Sequence, residues 1–176
     1  MSLLVVVGFS AEAALLPPGT AVLNAAANPE KLAAALGALR PSAVLSFGIA
    51  GGLDPALRPG ALLVARDVVA EARWPAHAAW SVALAAATGA AMVDLAGAAQ
   101  VIATPGEKAA LYARSGAAAV DMESAVIARS GIPFAVLRAV ADTADETLPP
   151  AAAEGLDEAG NPAPWRVMRA LLRRPG

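Results

Sequence analysis

Short runs of apolar residues alternate with helix-like stretches along most of this chain. The runs are continuous rather than interrupted by polar residues at every second position, which is typical of strands buried on both faces of a sheet. The predicted strands cover residues 3–7, 20–23, 43–47, 62–69, 92–95, 100–103, a brief strand that ends at Val120, and 133–140. The predicted helices run from residue 11 to the break at Pro17 and Pro18, and over 29–39, 78–87, 107–114 and 122–129.

Strands that alternate with helices predict an α/β fold, a three-layer sandwich in which helices flank a central, mostly parallel or mixed sheet. The 176 residues are enough for one core and no repeat divides them, so we predict a single domain over residues 1–176. Residues 147–164, rich in Pro, Ala and acidic side chains, are predicted to form a loop. Ligands of such sheets bind at the carboxyl ends of the strands, where each motif described below lies.

Composition and charge argue against several classes of function. Hydrophobic residues make up 57% of the chain but aromatic residues only 4%, so the interior must be built from Ala, Val and Leu. A net charge of −2 without a dense cluster of Lys or Arg argues against nucleic acid as a partner. The chain has no cysteine and a single histidine, His77, so we expect no metal site. The absence of a signal-peptide pattern leads us to expect a cytoplasmic protein.

The first motif is the glycine-rich segment Ser46-Phe47-Gly48-Ile49-Ala50-Gly51-Gly52, which follows a predicted strand. Glycine lets backbone N–H groups approach a ligand closely. The spacing is not the G-x-G-x-x-G pattern of dinucleotide-binding proteins, so a nicotinamide-dependent oxidoreductase has little support. A tight turn that leaves the sheet is the more common origin of such a pattern.

The second motif, Asp121-Met122-Glu123, joins the end of a strand to the start of a helix. Asp121 is a good helix cap, and Glu123 suits the positive end of the helix dipole. A thioether between two carboxylates also suits contact with a sugar or a base. Both interpretations remain open from the pattern alone.

The third motif places Arg138 within the last predicted strand and Asp142 just past it. A buried guanidinium needs an anionic partner, because an unpaired charge in the interior costs several kcal/mol. Glu123 or Glu12 would serve. A structural ion pair and a catalytic one are equally compatible with the spacing.

Together, FGIAGGLDPALRPG (47–60), AVDMES (119–124) and LRAVADTADE (137–146) resemble the three signature blocks of the nucleoside phosphorylase and methylthioadenosine/S-adenosylhomocysteine nucleosidase superfamily, in the same order. The resemblance implies a purine nucleoside phosphorylase-like fold and cleavage of the N-glycosidic bond of a purine nucleoside. It also implies a homo-oligomer that needs no cofactor, with phosphate as co-substrate if the enzyme is a phosphorylase. Segments 106–124 and 133–150 are similar to the hopanoid-associated phosphorylase branch, thought to release adenine from adenosylhopane. A lipid substrate of that kind implies peripheral contact with a membrane.

The resemblance also implies roles for individual residues. Asp142 matches the acid that protonates the purine at N7, and Glu12 the carboxylate that positions the attacking water. Glu123 matches the carboxylate that binds the ribose hydroxyls, Met122 the residue under the sugar, and Arg138 a group that orients a carboxylate. The remaining residues expected to contact substrate are Gly48, Ile49, Ala50 and Gly51.

Two departures from the superfamily pattern qualify these expectations. Ser46 and Ile49 stand where phosphorylases carry an arginine and a hydroxyl residue for phosphate, which favours hydrolysis. The chain is also short between Glu71 and Val101, where the superfamily builds part of its base pocket. The alternatives are a methylthioadenosine/S-adenosylhomocysteine-type nucleosidase and a non-catalytic nucleoside-binding module that kept the fold.

Overall fold

The computed structural model describes residues 2–26 and 28–148. Its helices and strands, in chain order, are β1 Leu3–Val7, α1 Ser10–Ala13, β2 Val22–Asn24, α2 Pro29–Leu39, β3 Ala43–Gly52, β4 Leu62–Val69, β5 Arg73–Pro75, α3 Ala78–Thr88, β6 Ala91–Gly97, α4 Pro105–Ser115, β7 Ala119–Asp121, α5 Ser124–Arg129 and β8 Phe134–Asp142. Most of the loop predicted for residues 147–164 lies outside the described residues.

The strands form one mixed sheet. Strand β1 pairs in parallel with β2 and β3, and β3 pairs in parallel with β8. Strand β8 runs antiparallel to β4, β4 is parallel to β6, β6 is parallel to β7, and β7 returns antiparallel to the end of β3. Five strands thus close into a ring that β1 and β2 extend on one side. The predicted α/β fold with a mixed central sheet and flanking helices is confirmed.

Small and medium aliphatic side chains fill the core, as the composition predicts. Fully buried examples come from the sheet, at Val6, Val44 and Leu63, and from helix α5, at Ile127. Gly97 ends β6 directly against Ala125 of α5, where a Cβ atom would collide with the alanine side chain. Because of this close approach, α5 lies tight on the sheet and the residues before it are held at the strand ends. No helix in the described part of the chain is long and apolar enough to cross a membrane.

Two helix boundaries follow from local capping chemistry. Helix α2 begins where Asn28 accepts a hydrogen bond from the backbone N–H of Lys31, as the Asn-Pro pair predicts. Helix α4 begins at Pro105, two residues before the predicted start. Thr104 and Glu107 form a capping box there, in which each side chain accepts the other residue's backbone N–H.

Apart from shifts of one to three residues at other element ends, three predictions are wrong. Residues 100–103 are not a strand: the backbone N–H of Ala103 bonds to the Glu107 carboxylate instead of a neighbouring strand, so the segment is a loop before α4. The strand predicted to stop at Phe47 continues through the glycines to Gly52, so the glycines are not a turn leaving the sheet. The helix predicted to start at Met122 begins at Ser124.

Candidate functional site

Three strands end at one place on the sheet. Gly51, near the end of β3, pairs in register with Val120 of β7 on one side and with Asp142 of β8 on the other. Strand β7 is only three residues long, so Met122 and Glu123 follow immediately at the same edge. The register of the sheet therefore brings the three sequence motifs together.

A hollow that is open to solvent lies at this edge. Most of its lining residues are apolar, and three of them are acidic. The lining residues are Phe9, Ile49, Ala50, Gly51, Gln100, Val101, Ile102, Val120, Asp121, Met122, Glu123, Ala141, Asp142 and Leu148.

Arg138 lies behind the hollow at the centre of an ion-pair cluster and is 1% exposed. Its Nε donates to Asp121 Oδ2 at 2.8 Å, and one terminal nitrogen donates to Glu123 Oε2 at 3.1 Å and to Ser46 Oγ at 2.7 Å. Of the two partners that the sequence suggests for Arg138, Glu123 is bonded to it and Glu12 is not, and Asp121 is a further partner. Asp121 also accepts the backbone N–H of Ser124, the first residue of α5, although the N-cap residue of that helix is Glu123 and not Asp121.

Glu123 is a buried carboxyl among other acids. Burial raises the pKa of Glu123 to about 7, and the carboxylates of Asp121 and Glu12 act in the same direction, while Arg138 opposes them. The cluster thus holds Glu123 at the wall of the hollow in a state that is sensitive to pH near neutrality.

Glu12 occupies a pocket of backbone N–H groups. Its Oε2 accepts hydrogen bonds from Gly8 and Phe9 at 2.8 and 2.9 Å, and its Oε1 accepts one from Ile49 at 2.9 Å. Gly48 has a φ of +153°, and a Cβ atom there would collide with the Glu12 carboxylate. The glycine at position 48 therefore provides the space that this carboxylate fills.

Gly48→Ala is expected to lower the free energy of unfolding by about 1–3 kcal/mol, because the methyl group displaces Glu12 and overpacks a filled site. Urea unfolding measures the change. The matched control is Gly37→Ala in helix α2, where nothing lies within 4 Å of the new methyl group. That change is expected to stabilise the protein by about 0.4–1 kcal/mol. Equal stability of Gly48→Ala and the wild type would contradict the packing of the Glu12 carboxylate against Gly48.

Asp142 ends β8 at the wall of the hollow and is 6% exposed. Burial raises the pKa of its carboxyl, Lys108 lowers it, and Glu146 adds a smaller upward effect. The ammonium of Lys108 lies 2.5 Å from Asp142 Oδ2. Sequence reasoning missed this lysine. The available signal was its position on α4, three residues before Leu111, on the face that the helix buries.

The predicted site residues fall into two groups. Asp142, Met122, Glu123, Ile49, Ala50 and Gly51 line the hollow. Glu12, Gly48 and Arg138 are not lining residues; they lie behind the wall, where Arg138 orients Glu123 and Glu12 binds the amide of Ile49. His77 is exposed and caps helix α3 through the N–H of Trp80, away from the hollow. Within residues 2–26 and 28–148, no group of acidic or histidine side chains has the arrangement of a metal site.

Comparison with known proteins places this fold but gives no match by sequence. No family model and no curated protein matches the chain. Among solved structures, the 5′-methylthioadenosine/S-adenosylhomocysteine nucleosidase of Colwellia psychrerythraea 34H, in complex with adenine, has a TM-score of 0.68 and 19% identity. The similarity covers 83% of this chain and 85% of that one.

Two further solved structures extend the comparison. The S-adenosylhomocysteine nucleosidase of Streptococcus pyogenes, in complex with 5-methylthiotubericidin, has a TM-score of 0.67 at 18% identity, over 82% of this chain and 85% of that one. A futalosine hydrolase mutant of Helicobacter pylori strain 26695 has a TM-score of 0.65 at 19% identity, over 83% and 88%. At these identities the comparison shows a shared fold.

Proposed function

We propose that this chain, whose fold is that of the nucleoside phosphorylase and nucleosidase superfamily, is a nucleosidase that cleaves the N-glycosidic bond of an adenosine-type nucleoside with water. The observation that carries the proposal is the hollow itself. Asp142, at the end of β8, and Glu123, just after β7, line the same opening, and Met122 lines it as well. Structures with this fold include nucleosidases solved with adenine or a nucleoside analogue bound.

Asp142 is proposed as the general acid. Cleavage moves the electron pair of the C1′–N9 bond into the purine, so a proton delivered to N7 stabilises the leaving group. General acid catalysis of this kind contributes about 10²–10⁴ in rate. An acid must hold its proton near neutral pH, and the burial that raises the pKa of Asp142 favours this.

Glu123 and Met122 are proposed to bind the sugar. An ionised carboxylate accepts hydrogen bonds from ribose hydroxyls, and such bonds strengthen as positive charge develops on the ring. Arg138 fixes the orientation of Glu123 through Oε2. The thioether of Met122 offers an apolar surface for the face of the sugar.

Water rather than phosphate is proposed as the nucleophile. The N–H groups of Gly8, Phe9 and Ile49 would suit an anion, but the Glu12 carboxylate already binds them. A phosphate there would meet a buried negative charge, and the Ser46 hydroxyl is bonded to Arg138. Glu12 keeps the role that the sequence resemblance implies, the carboxylate that positions the attacking water, although it lies behind the lining residues of the hollow.

The substrate within this class is proposed from the sequence resemblance, which favours adenosylhopane over smaller adenosine derivatives. The walls of the hollow are largely apolar, including Phe9, Ile102 and Leu148, and suit a nucleoside with an apolar 5′ substituent. Methylthioadenosine and S-adenosylhomocysteine are the alternative substrates.

The test is to incubate the purified protein with adenosine, 5′-methylthioadenosine, S-adenosylhomocysteine and adenosylhopane, with and without phosphate, and to measure free adenine. We expect adenine from at least one of them, with the free sugar as second product and no sugar 1-phosphate. A phosphate-dependent rate with a 1-phosphate product would contradict hydrolysis. Calorimetric binding of these nucleosides without any release of adenine would contradict an enzyme and favour a binding module.

A further inference from the structure

Lys108 is a lysine with no exposed surface. It lies on helix α4, and its ammonium donates three hydrogen bonds: to Asp142 Oδ2 at 2.5 Å, to the carbonyl oxygen of Thr143 at 2.6 Å and to that of Glu146 at 2.8 Å. Lysine is almost never fully buried unless it is paired, because desolvation of the ammonium is costly. All three donors of this one are used, so the side chain ties α4 to the end of β8 and to the turn that follows.

This arrangement leaves the two oxygens of Asp142 unlike each other. Lys108 holds Oδ2, whereas no hydrogen bond from the described residues reaches Oδ1. Asp142 lines the hollow, and Oδ1 is its carboxyl oxygen without a hydrogen bond from the described residues.

The charge of Lys108 matters once Asp142 has lost its proton. A carboxylate formed in a buried site is strongly disfavoured unless a cation lies beside it. Lys108 is the cation in contact with Asp142. The other charged groups near the pair are the acidic Glu146 and Asp145 on the turn and the basic Arg58, whose charge acts on Asp145.

We propose that Lys108 is the positioning residue of Asp142: it holds Oδ2 so that Oδ1 faces the ligand, and its charge stabilises the carboxylate that remains after proton transfer. This inference rests on the proposed nucleosidase function. In the step, the Oδ1–H bond breaks and its electron pair stays on Asp142, while N7 of the purine gains the proton. The electron pair of C1′–N9 enters the purine. Lys108 keeps its own protons throughout.

The test is Lys108→Met, assayed over a pH series with the nucleoside that the wild type cleaves. We expect kcat at the plateau to fall by about tenfold to a hundredfold with KM changed little, because Asp142 loses its alignment and its counter-charge. We also expect the basic limb of the kcat profile to move up by about 1 pH unit. The sign follows because Asp142 works in its acid form and an adjacent ammonium lowers its pKa, so removing the ammonium raises it.

The matched control is Lys31→Met on the exposed side of α2, which should leave both plateau and limb unchanged. A lower plateau with an unmoved basic limb would assign Lys108 a purely structural role and overturn the inference, as would unchanged kinetics. If Lys108→Met does not fold, Lys108→Arg, which keeps the charge, takes its place: a limb within about 0.3 unit of wild type is expected, and a larger upward shift overturns the inference. If the wild-type protein releases no adenine, the proposed function itself is wrong. If the wild type releases adenine and Lys108→Met has the same kinetics, only this inference is wrong.

Discussion

Asp142→Asn is expected to reduce kcat for adenine release by about 10²–10⁴, the contribution typical of a positioned general acid. An amide can donate a hydrogen bond to N7 but cannot transfer a proton to it, so the purine must leave as an anion. The side chain keeps its shape, and its carbonyl oxygen can still accept the hydrogen bond from Lys108. We therefore expect the variant to fold and to bind nucleoside. Steady-state release of adenine and calorimetric binding measure the two effects separately.

The control for this prediction is Asp67→Asn, the same chemical change at a surface carboxylate paired with Arg73. It is expected to leave turnover unchanged, because Asp67 lies on β4 away from the hollow. Turnover of Asp142→Asn close to that of the wild type would remove Asp142 from the role of acid.

Most strands could be predicted because strands buried in the sheet appear in the sequence as continuous apolar runs. Residues 62–69 form a buried strand with the predicted limits, and Pro29–Leu39 is a helix with the predicted limits because the Asn-Pro start is a strong local signal. The prediction of a strand at 100–103 is wrong because a short segment such as Gln100-Val101-Ile102-Ala103 can line a pocket as well as a sheet. Strand β5, three residues long, pairs only at the edge of the sheet, and its sequence carries no matching pattern.

The meeting of the three motifs was predictable, but their contacts were not. The ends of β3 and β8 meet because parallel strands present their carboxyl ends at one edge. Strand β7 reaches the same place by antiparallel pairing with the last two residues of β3. The register of β8 against β3 and the antiparallel pairing of β7 with β3 decide which acid pairs with Arg138. The spacing of residues in the sequence encodes neither. The glycines show the same limit. Gly48 was interpreted as part of a turn, whereas it makes room for a carboxylate that is distant in sequence.

Lys108 was missed for a related reason. A lysine in a helix is usually solvated, and only the buried face of α4 reveals that this one points inward. Its partners, Asp142 and the carbonyl groups of the next turn, come more than thirty residues later in the chain. Long-range pairing of a charged side chain therefore needs the tertiary structure, whereas capping and strand burial can be predicted locally.

Arg138→Met is expected to lower the free energy of unfolding at neutral pH by about 3–5 kcal/mol, because it leaves Asp121 and Glu123 buried without their cation. Urea unfolding measures the loss. The free energy of unfolding of Arg138→Lys, which keeps the charge but not the forked geometry, should lie between those of the wild type and Arg138→Met. The control Arg66→Met removes an exposed ion pair to Asp94, with the arginine side chain 60% exposed, and should cost at most about 1 kcal/mol.

The deficit of Arg138→Met should also depend on pH. Burial already raises the pKa of Glu123 to about 7 with Arg138 present, and loss of the guanidinium raises it further. A folded-state pKa above the unfolded value means that protonation favours the folded state, so stability is lost as pH rises toward the folded-state pKa. The difference between variant and wild type should therefore be smaller near pH 5 than near pH 8. A deficit below about 1 kcal/mol at both pH values would mean that the cluster does not hold the strand ends together, and Glu123 would then need another group to orient it.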